Sequence, residues 1–319
     1  MRWGILGTGW IAERFVAALR ENTRQQVVAV GSRSHATARN FADRMGIRRA
    51  HATYEDLTTD NEVDIVYVAT PHQLHVEHGL LAIAGGKHVL IEKPIALDTA
   101  GLDALLSAAT AQGVLCQEAF WSFFLPKFDV IRQLLDDGIL GEIHTILADH
   151  GELLPPPHRI HDSDLAGGSL HDLGVYNFAL ATWAGGEPDH VVAVGLMARS
   201  GVIGDVAVAM RSGGTVSSLS CTMMTTTPCS ATIAGDAATL TMPSGWFFPG
   251  DLTLVHHASG RALSYREPNP RHGALYFEAA EVARRIHEGA RMSPVWTPDN
   301  SRIATRVLQR VKEQLAVDA

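Results

Sequence analysis

"RWGILGTGWIAERFVAALREN", residues 2–22, decides the fold. An apolar run, Trp3-Gly4-Ile5-Leu6, is short enough for one buried strand. It ends in Gly7-Thr8-Gly9-Trp10-Ile11-Ala12, the pattern G-x-G-x-x-A. Ile11, Phe15, Ala18 and Leu19 then share one face of a helix. A glycine turn alone would carry the same glycines. Between a strand and an amphipathic helix, each small residue has a task. Gly7 allows a tight turn, Gly9 lets a phosphate approach the backbone, and Ala12 lets helix and strand pack closely. The unpaired amides at the helix start, around Thr8, Trp10 and Ile11, face a pyrophosphate.

The same alternation continues outward. "QQVVAVGS" reads as a second strand, followed by a helix with Ser34 as cap and Gly46 as stop. "DIVYVAT" and "HVLIE" are further strands, each followed by a helix, the second capped by Asp98. "VLCQEAF" closes the series. Strands alternating with helices imply a parallel sheet covered on both faces. Ligands bind such sheets beyond the carboxyl ends of the strands. At the second strand end, NAD-binding folds carry an acid for the ribose 2′-hydroxyl. Here the chain reads Gly31-Ser32-Arg33-Ser34. Ser32 and Arg33 suit a 2′-phosphate instead, which predicts NADP as cofactor with NAD as the lesser possibility.

Composition bounds the class. The 319 residues are 46% hydrophobic and 19% charged, with a formal charge of −8. That length suits two domains. The acidic balance argues against nucleic acid or an anionic membrane as partner. No apolar run reaches bilayer length, and the first residues lack a signal-peptide pattern. Three sparse cysteines, Cys116, Cys221 and Cys229, suit a reducing cytoplasm. No carboxylate–histidine cluster has metal-ligand spacing, so no metal is expected.

Five stretches, "GILGTGWIA", "YVATPHQLH", "GKHVLIEKPIAL", "GEI" and "GGSLHDLGVY", together resemble the Gfo/Idh/MocA oxidoreductase family. They run in family order, and the tail "YFEAAEVARRIHEGARMSPVWTPDNS" is similar to the family's closing helix and loop. Within the family, "EAFWSFFLP" and the Tyr of "DLGVY" resemble the dimeric dihydrodiol and NADP-dependent sugar dehydrogenases. Phe123 stands where the family usually has Arg, and His72 where it usually has Asn. The resemblance implies that Lys93 of Glu92-Lys93-Pro94 is the active-site lysine, in a turn whose proline bond is often cis. It also implies that Thr70, Pro71, His75 and Glu92 lie near the cofactor.

Hydride transfer from an alcohol needs a base for the hydroxyl proton. Tyr176 is the candidate. Its ordinary pKa of about 10 requires a nearby cation, which Lys93 can supply. Asp172, four residues earlier, falls on the same side of a helix and can hold Lys93 or accept a bond from substrate. Gly167-Gly168 would let ligands approach the backbone. Trp121, at a strand end, is a candidate pocket wall, and His158 and His161 in "PPPHRIHDSD" are candidate substrate contacts.

The second half is β-rich, with turns such as Ser212-Gly213-Gly214. The fold expected is therefore α/β: a Rossmann dinucleotide-binding domain over residues 1–119. An α+β substrate and oligomerisation domain follows over 120–319, with a large, mostly antiparallel open sheet. By family analogy the bare face of that sheet forms a homodimer or higher homo-oligomer. The function expected is NADP-dependent hydride transfer at a secondary alcohol or hemiacetal carbon of a sugar, cyclic polyol or trans-dihydrodiol. The rivals are an NAD-dependent inositol or polyol dehydrogenase, and a dinucleotide-binding regulator without catalysis. The missing acid at Ser32-Arg33 and the presence of Tyr176 count against the first. Intact Lys93, Asp172 and Tyr176 count against the second.

Overall fold

The computed structural model describes residues 1–317. Along the chain the order begins β1 (Arg2–Leu6), α1 (Trp10–Asn22), β2 (Gln26–Gly31), α2 (His35–Met45), β3 (Arg49–His51) and α3 (Tyr54–Thr58). It continues with β4 (Ile65–Val68), α4 (His75–Ala84), β5 (His88–Glu92), α5 (Thr99–Gln112), β6 (Cys116–Ala119) and α6 (Pro126–Asp136). Next come β7 (Ile143–Gly151), α7 (Val175–Gly185), β8 (His190–Met197), β9 (Ile203–Ser212) and β10 (Thr215–Thr222). The remainder is β11 (Ala231–Gly235), β12 (Ala238–Met242), β13 (Leu252–His256), β14 (Ala262–Tyr265), α8 (Tyr276–His287) and α9 (Pro298–Val317).

Two compact units result. The first holds Met1–Phe124 and Pro270–Pro298, and the second holds Leu125–Asn269 and the chain from Asp299 onward. The first unit runs beyond the 119/120 boundary expected from sequence, to Phe124, and takes in the returning segment Pro270–Pro298. The return has a physical cause. Gln117 and Glu118 on β6 are buried, and their partners lie far along the chain. Gln117 Nε2 donates to the Trp296 carbonyl at 2.9 Å, and Trp296 Nε1 donates to Glu118 Oε2 at 2.8 Å.

In the first unit six parallel strands lie in the order β3-β2-β1-β4-β5-β6. The order reverses between β1 and β4, the place where such sheets take ligands. Both faces are covered, so β4 is buried at every position. Val66, Val68, Val89 and Ile91 pack with Leu102 and Leu105 on one face. Tyr67 points to the other face, its ring stacked on Phe15 of α1 at 3.9 Å. The caps are those the sequence announces. Ser34 accepts from the Thr37 amide, Asp98 accepts from the Gly101 amide at 2.7 Å, and Gly46 ends α2 at φ 60°. The short β3 and α3 have no periodic signal to announce them.

The second unit is an eight-stranded sheet in the order β14-β13-β12-β11-β7-β10-β9-β8. Only the β7–β10 pair is parallel. Along β9 and β10 buried and exposed residues alternate, as a half-covered sheet requires. Helix α7 lies on the buried face. The opposite face carries exposed Leu147, Val192, Val194 and Val216. Gln314 of α9 bonds the backbone of edge strand β8 at Ala193 and Val191, at 2.9 and 2.8 Å. Among the described residues no helix is long and apolar enough to cross a membrane.

Candidate active site

Gly7 sits where β1 ends, at φ 110°, and a Cβ there would meet the Ala69 carbonyl oxygen at 2.6 Å. Only glycine fits, because β4 also ends at that point. Gly9 is different. It caps α1 with no side-chain bond to the helix amides, and a Cβ on it would meet nothing within 4 Å. Thr8, Trp10 and Ile11 follow at the start of this 13-residue helix. Open amides, a positive helix end and open space at Gly9 are what a pyrophosphate requires. The residues present therefore fit a dinucleotide.

Ser32 is buried at the end of β2 and Arg33 is exposed. The Arg33 charge lies close enough to Tyr54 to act on its hydroxyl. Burial pushes that phenol up, and Arg33 partly offsets the rise. Tyr54 packs edge-on against His78, which meets the Thr70 hydroxyl at 3.0 Å.

The Lys93–Pro94 bond is cis. Buried side chains pin the turn from behind. Glu92 accepts from the Tyr67 hydroxyl, and its other oxygen accepts from the Lys93 amide at 3.2 Å. Glu118 accepts from the Ile95 amide at 3.0 Å. His75 is fully buried, with Nδ1 2.8 Å from the Pro94 carbonyl and Nε2 2.8 Å from the Thr70 carbonyl. His75 thus ties the β4 turn, Thr70-Pro71, to the Lys93 turn. Lys93 itself is half-buried. Trp121 is buried, and His272 bridges it to exposed Trp10, with ring centroids 5.6 and 4.6 Å apart.

In the second unit, Leu170–Gly174 forms a π-helical turn that leads into α7. Asp172 lies in this turn and Tyr176 in the first turn of α7. The Asp172 carboxylate accepts from Arg159 Nη2 at 3.1 Å on each oxygen. Tyr176 is buried on α7 between His150 and Phe247. Gly167 serves the loop itself, since a Cβ there would meet the Ile160 carbonyl oxygen at 2.4 Å. His158 caps its own turn by accepting from the Ile160 amide at 3.2 Å. His161 has Ser200 Oγ at 3.0 Å and the Leu154 carbonyl at 2.7 Å. Both histidines hold the loop in shape. His171, beside Asp172, is buried and pushed down to about 4, first by burial and then by the Lys312 charge.

Residues 1–120 match the family model described as "Oxidoreductase family, NAD-binding Rossmann fold", and residues 128–241 match the GFO/IDH/MocA C-terminal domain. The chain belongs to the Gfo/Idh/MocA family. Relatives named trans-1,2-dihydrobenzene-1,2-diol dehydrogenase agree. That of Xenopus laevis is 31% identical over 99% of this chain and 98% of its own. That of Danio rerio is 32% identical over 99% and 97%. A 3-ketoreductase from Actinomadura kijaniata, solved with NADP and TDP-benzene, superposes with TM-score 0.86 at 25% identity, covering 99% of this chain and 98% of that one. Levoglucosan dehydrogenase, solved with NADH and levoglucosan, superposes at TM-score 0.89 and covers 100% and 98%; its 17% identity shows the shared fold alone.

As a Gfo/Idh/MocA protein, the chain is an NAD(P)-dependent oxidoreductase acting on CH–OH groups. Arg159, His150, Tyr54 and His272 escape a sequence reading. Arg159 lies inside "PPPHRIHDSD", where the histidines draw the eye. His150 is signalled only by the two-residue period of β7, which turns Ile146, Ala148 and His150 toward the buried face.

Proposed function

We propose that the protein transfers hydride between NADP(H) and a secondary alcohol or hemiacetal carbon of a sugar, cyclic polyol or trans-dihydrodiol. Tyr176 is the acid/base and Lys93 the cation that lowers its pKa. The observation that carries this reading is the Lys93-Pro94 turn, held by Glu92, His75 and Glu118. Three buried polar side chains are spent on fixing one half-buried lysine, which is the preorganisation a reacting group needs.

The nicotinamide, when bound, supplies the hydride acceptor or donor. The remaining work falls to side chains. In the oxidising direction the substrate hydroxyl proton passes to the Tyr176 phenolate. Lys93 stabilises that phenolate by its charge. Asp172, fixed by Arg159, accepts a hydrogen bond from substrate or from Lys93, and Trp121 bounds the pocket. Arg33, beside Tyr54 at the end of β2, favours a 2′-phosphate, in keeping with the NADP of the Actinomadura structure. The apolar open face of the second sheet, with Val192 and Val194 each 62% exposed, supports a homodimer formed through it.

Single-turnover hydride transfer across pH tests the acid/base assignment, with trans-1,2-dihydrobenzene-1,2-diol and NADP⁺ as the starting pair. Tyr176→Phe should slow the chemical step by roughly 10²–10⁴ while cofactor binding persists. Lys93→Met should lower both rate and cofactor affinity, and the two losses should not add. A Tyr176→Phe enzyme at near-normal rate would remove Tyr176 as the base.

A further inference from the structure

His150 lies on the buried face of β7 and is 2% exposed. Its ring meets Tyr176 edge-on at 5.4 Å and stacks on Phe247 at 4.0 Å. Phe247 in turn leans on Tyr176 at 5.3 Å. The loop that carries Phe247 is anchored by the buried Lys127 ammonium. It donates to the carbonyls on either side of Phe247, those of Trp246 and Phe248, at 2.8 and 2.5 Å. His150 Nε2 is 3.1 Å from Glu152 Oε1, and the Glu152 side chain is 44% exposed. A polar thread thus runs from beside the Tyr176 ring to solvent.

Packing alone does not ask for histidine here. Phenylalanine would fill the space beside Phe247 and Tyr176 without burying a polar ring. We propose that His150, oriented and held charged by Glu152, is a positioning residue that stabilises the ionised phenol of Tyr176. The inference rests on the reading of Tyr176 as the acid/base and adds a second cation to Lys93. The His150 and Tyr176 ring centroids are 5.4 Å apart, and a cation that near favours the ionised form of an acid. Glu152, 3.1 Å from His150 Nε2, is the opposite charge that favours the imidazolium.

Cys221, the cross-strand neighbour of His150 on β10, is a neutral thiol pushed up to about 12 by burial. Cys229 bonds the Gly151 carbonyl, and burial raises its thiol too. Asp149 points to the opposite face, where Thr227, Cys229 and Ser230 satisfy it. Lys127 is turned to its two carbonyls, and burial draws it down to about 8.

The chain has five tyrosines, so ultraviolet phenolate absorbance of the protein minus that of Tyr176→Phe isolates Tyr176. This titration needs no cofactor or substrate. In the His150→Phe background the Tyr176 transition should move up by about one pH unit or more. Glu152→Gln, at a half-exposed site that leaves the core intact, should move it the same way by less. The alkaline limb of single-turnover oxidation should shift in parallel, with rates roughly tenfold lower at any pH below it, since one unit is a factor of ten. A Tyr176 transition unmoved in both variants would overturn the inference. So would a His150→Phe rate reduced equally at every pH. Failure of the acid/base reading looks different: the phenolate transition moves as described, but Tyr176→Phe keeps its single-turnover rate.

Discussion

Glu278 sits in the first turn of α8, fully buried, and neither carboxyl oxygen has a hydrogen-bond partner among the described residues. Burial raises its pKa well above the ordinary 4.5, and the charge of Glu92 raises it further. The carboxyl therefore keeps its proton to higher pH in the folded protein than in the unfolded chain. A raised pKa gives stability that is complete below the unfolded value and is lost as pH rises through the folded one. Between 4.5 and the folded value, each pH unit should cost about 1.4 kcal/mol, the weight of one proton. Glu278→Gln keeps the shape and removes the ionisation. Urea unfolding at a series of pH values above 4.5 should show the protein losing stability relative to Glu278→Gln with that slope until the folded value is passed. The difference reports Glu278 together with its effect on Glu92, the carboxylate it interacts with. Parallel stability profiles would refute the argument and show that the carboxyl finds a partner or water.

His171 has the opposite sign. Its pKa falls from 6.5 to about 4 on folding, so it favours the folded state above 6.5 and withdraws up to about 3 kcal/mol as pH drops through that window; His171→Leu should lack this loss in acid unfolding curves. Arg33→Ala should reduce kcat/KM for NADP⁺ by a charge-assisted bond of about 1.5–3 kcal/mol and leave NAD⁺ nearly unchanged; an equal fall for both would show that Arg33 does not read the 2′-phosphate. Val194→Asp places a charge on the open sheet face and should turn a dimer into a monomer in light scattering at micromolar concentration; a wild type already monomeric there defeats the dimer proposal.

Periodicity and punctuation reveal the first sheet well. Gly7, Ser34, Gly46 and Asp98 have local tasks that their neighbours in sequence define, and each performs the expected one. The alternation of β7, β9 and β10 likewise marks a half-covered sheet. Long-range partners are another matter. Nothing near Glu118 announces Trp296, 178 residues away, so the return of 270–298 is invisible to a local reading. The π-turn at Leu170–Gly174 is hidden for a related reason, since four-residue spacing assumes a regular helix. Only the resemblance points to His75, whose ring bonds the Pro94 and Thr70 carbonyls and so joins two turns far apart in sequence.

The returning segment also sets a schedule for the growing chain. All six strands of the first sheet are synthesised by Ala119, yet Trp296 and α8 come much later. In the interval Glu118 lacks the indole that satisfies it, and Gln25 lacks the Ala279 carbonyl. The face of Tyr67 and Phe15 also waits for the helix that brings Glu278. A ribosome-bound chain, or a fragment cut at Phe124, would thus hold a parallel sheet with one flank open to water and to chaperones. Maturation of the nucleotide half is a late event, completed only after most of the second sheet has left the exit tunnel.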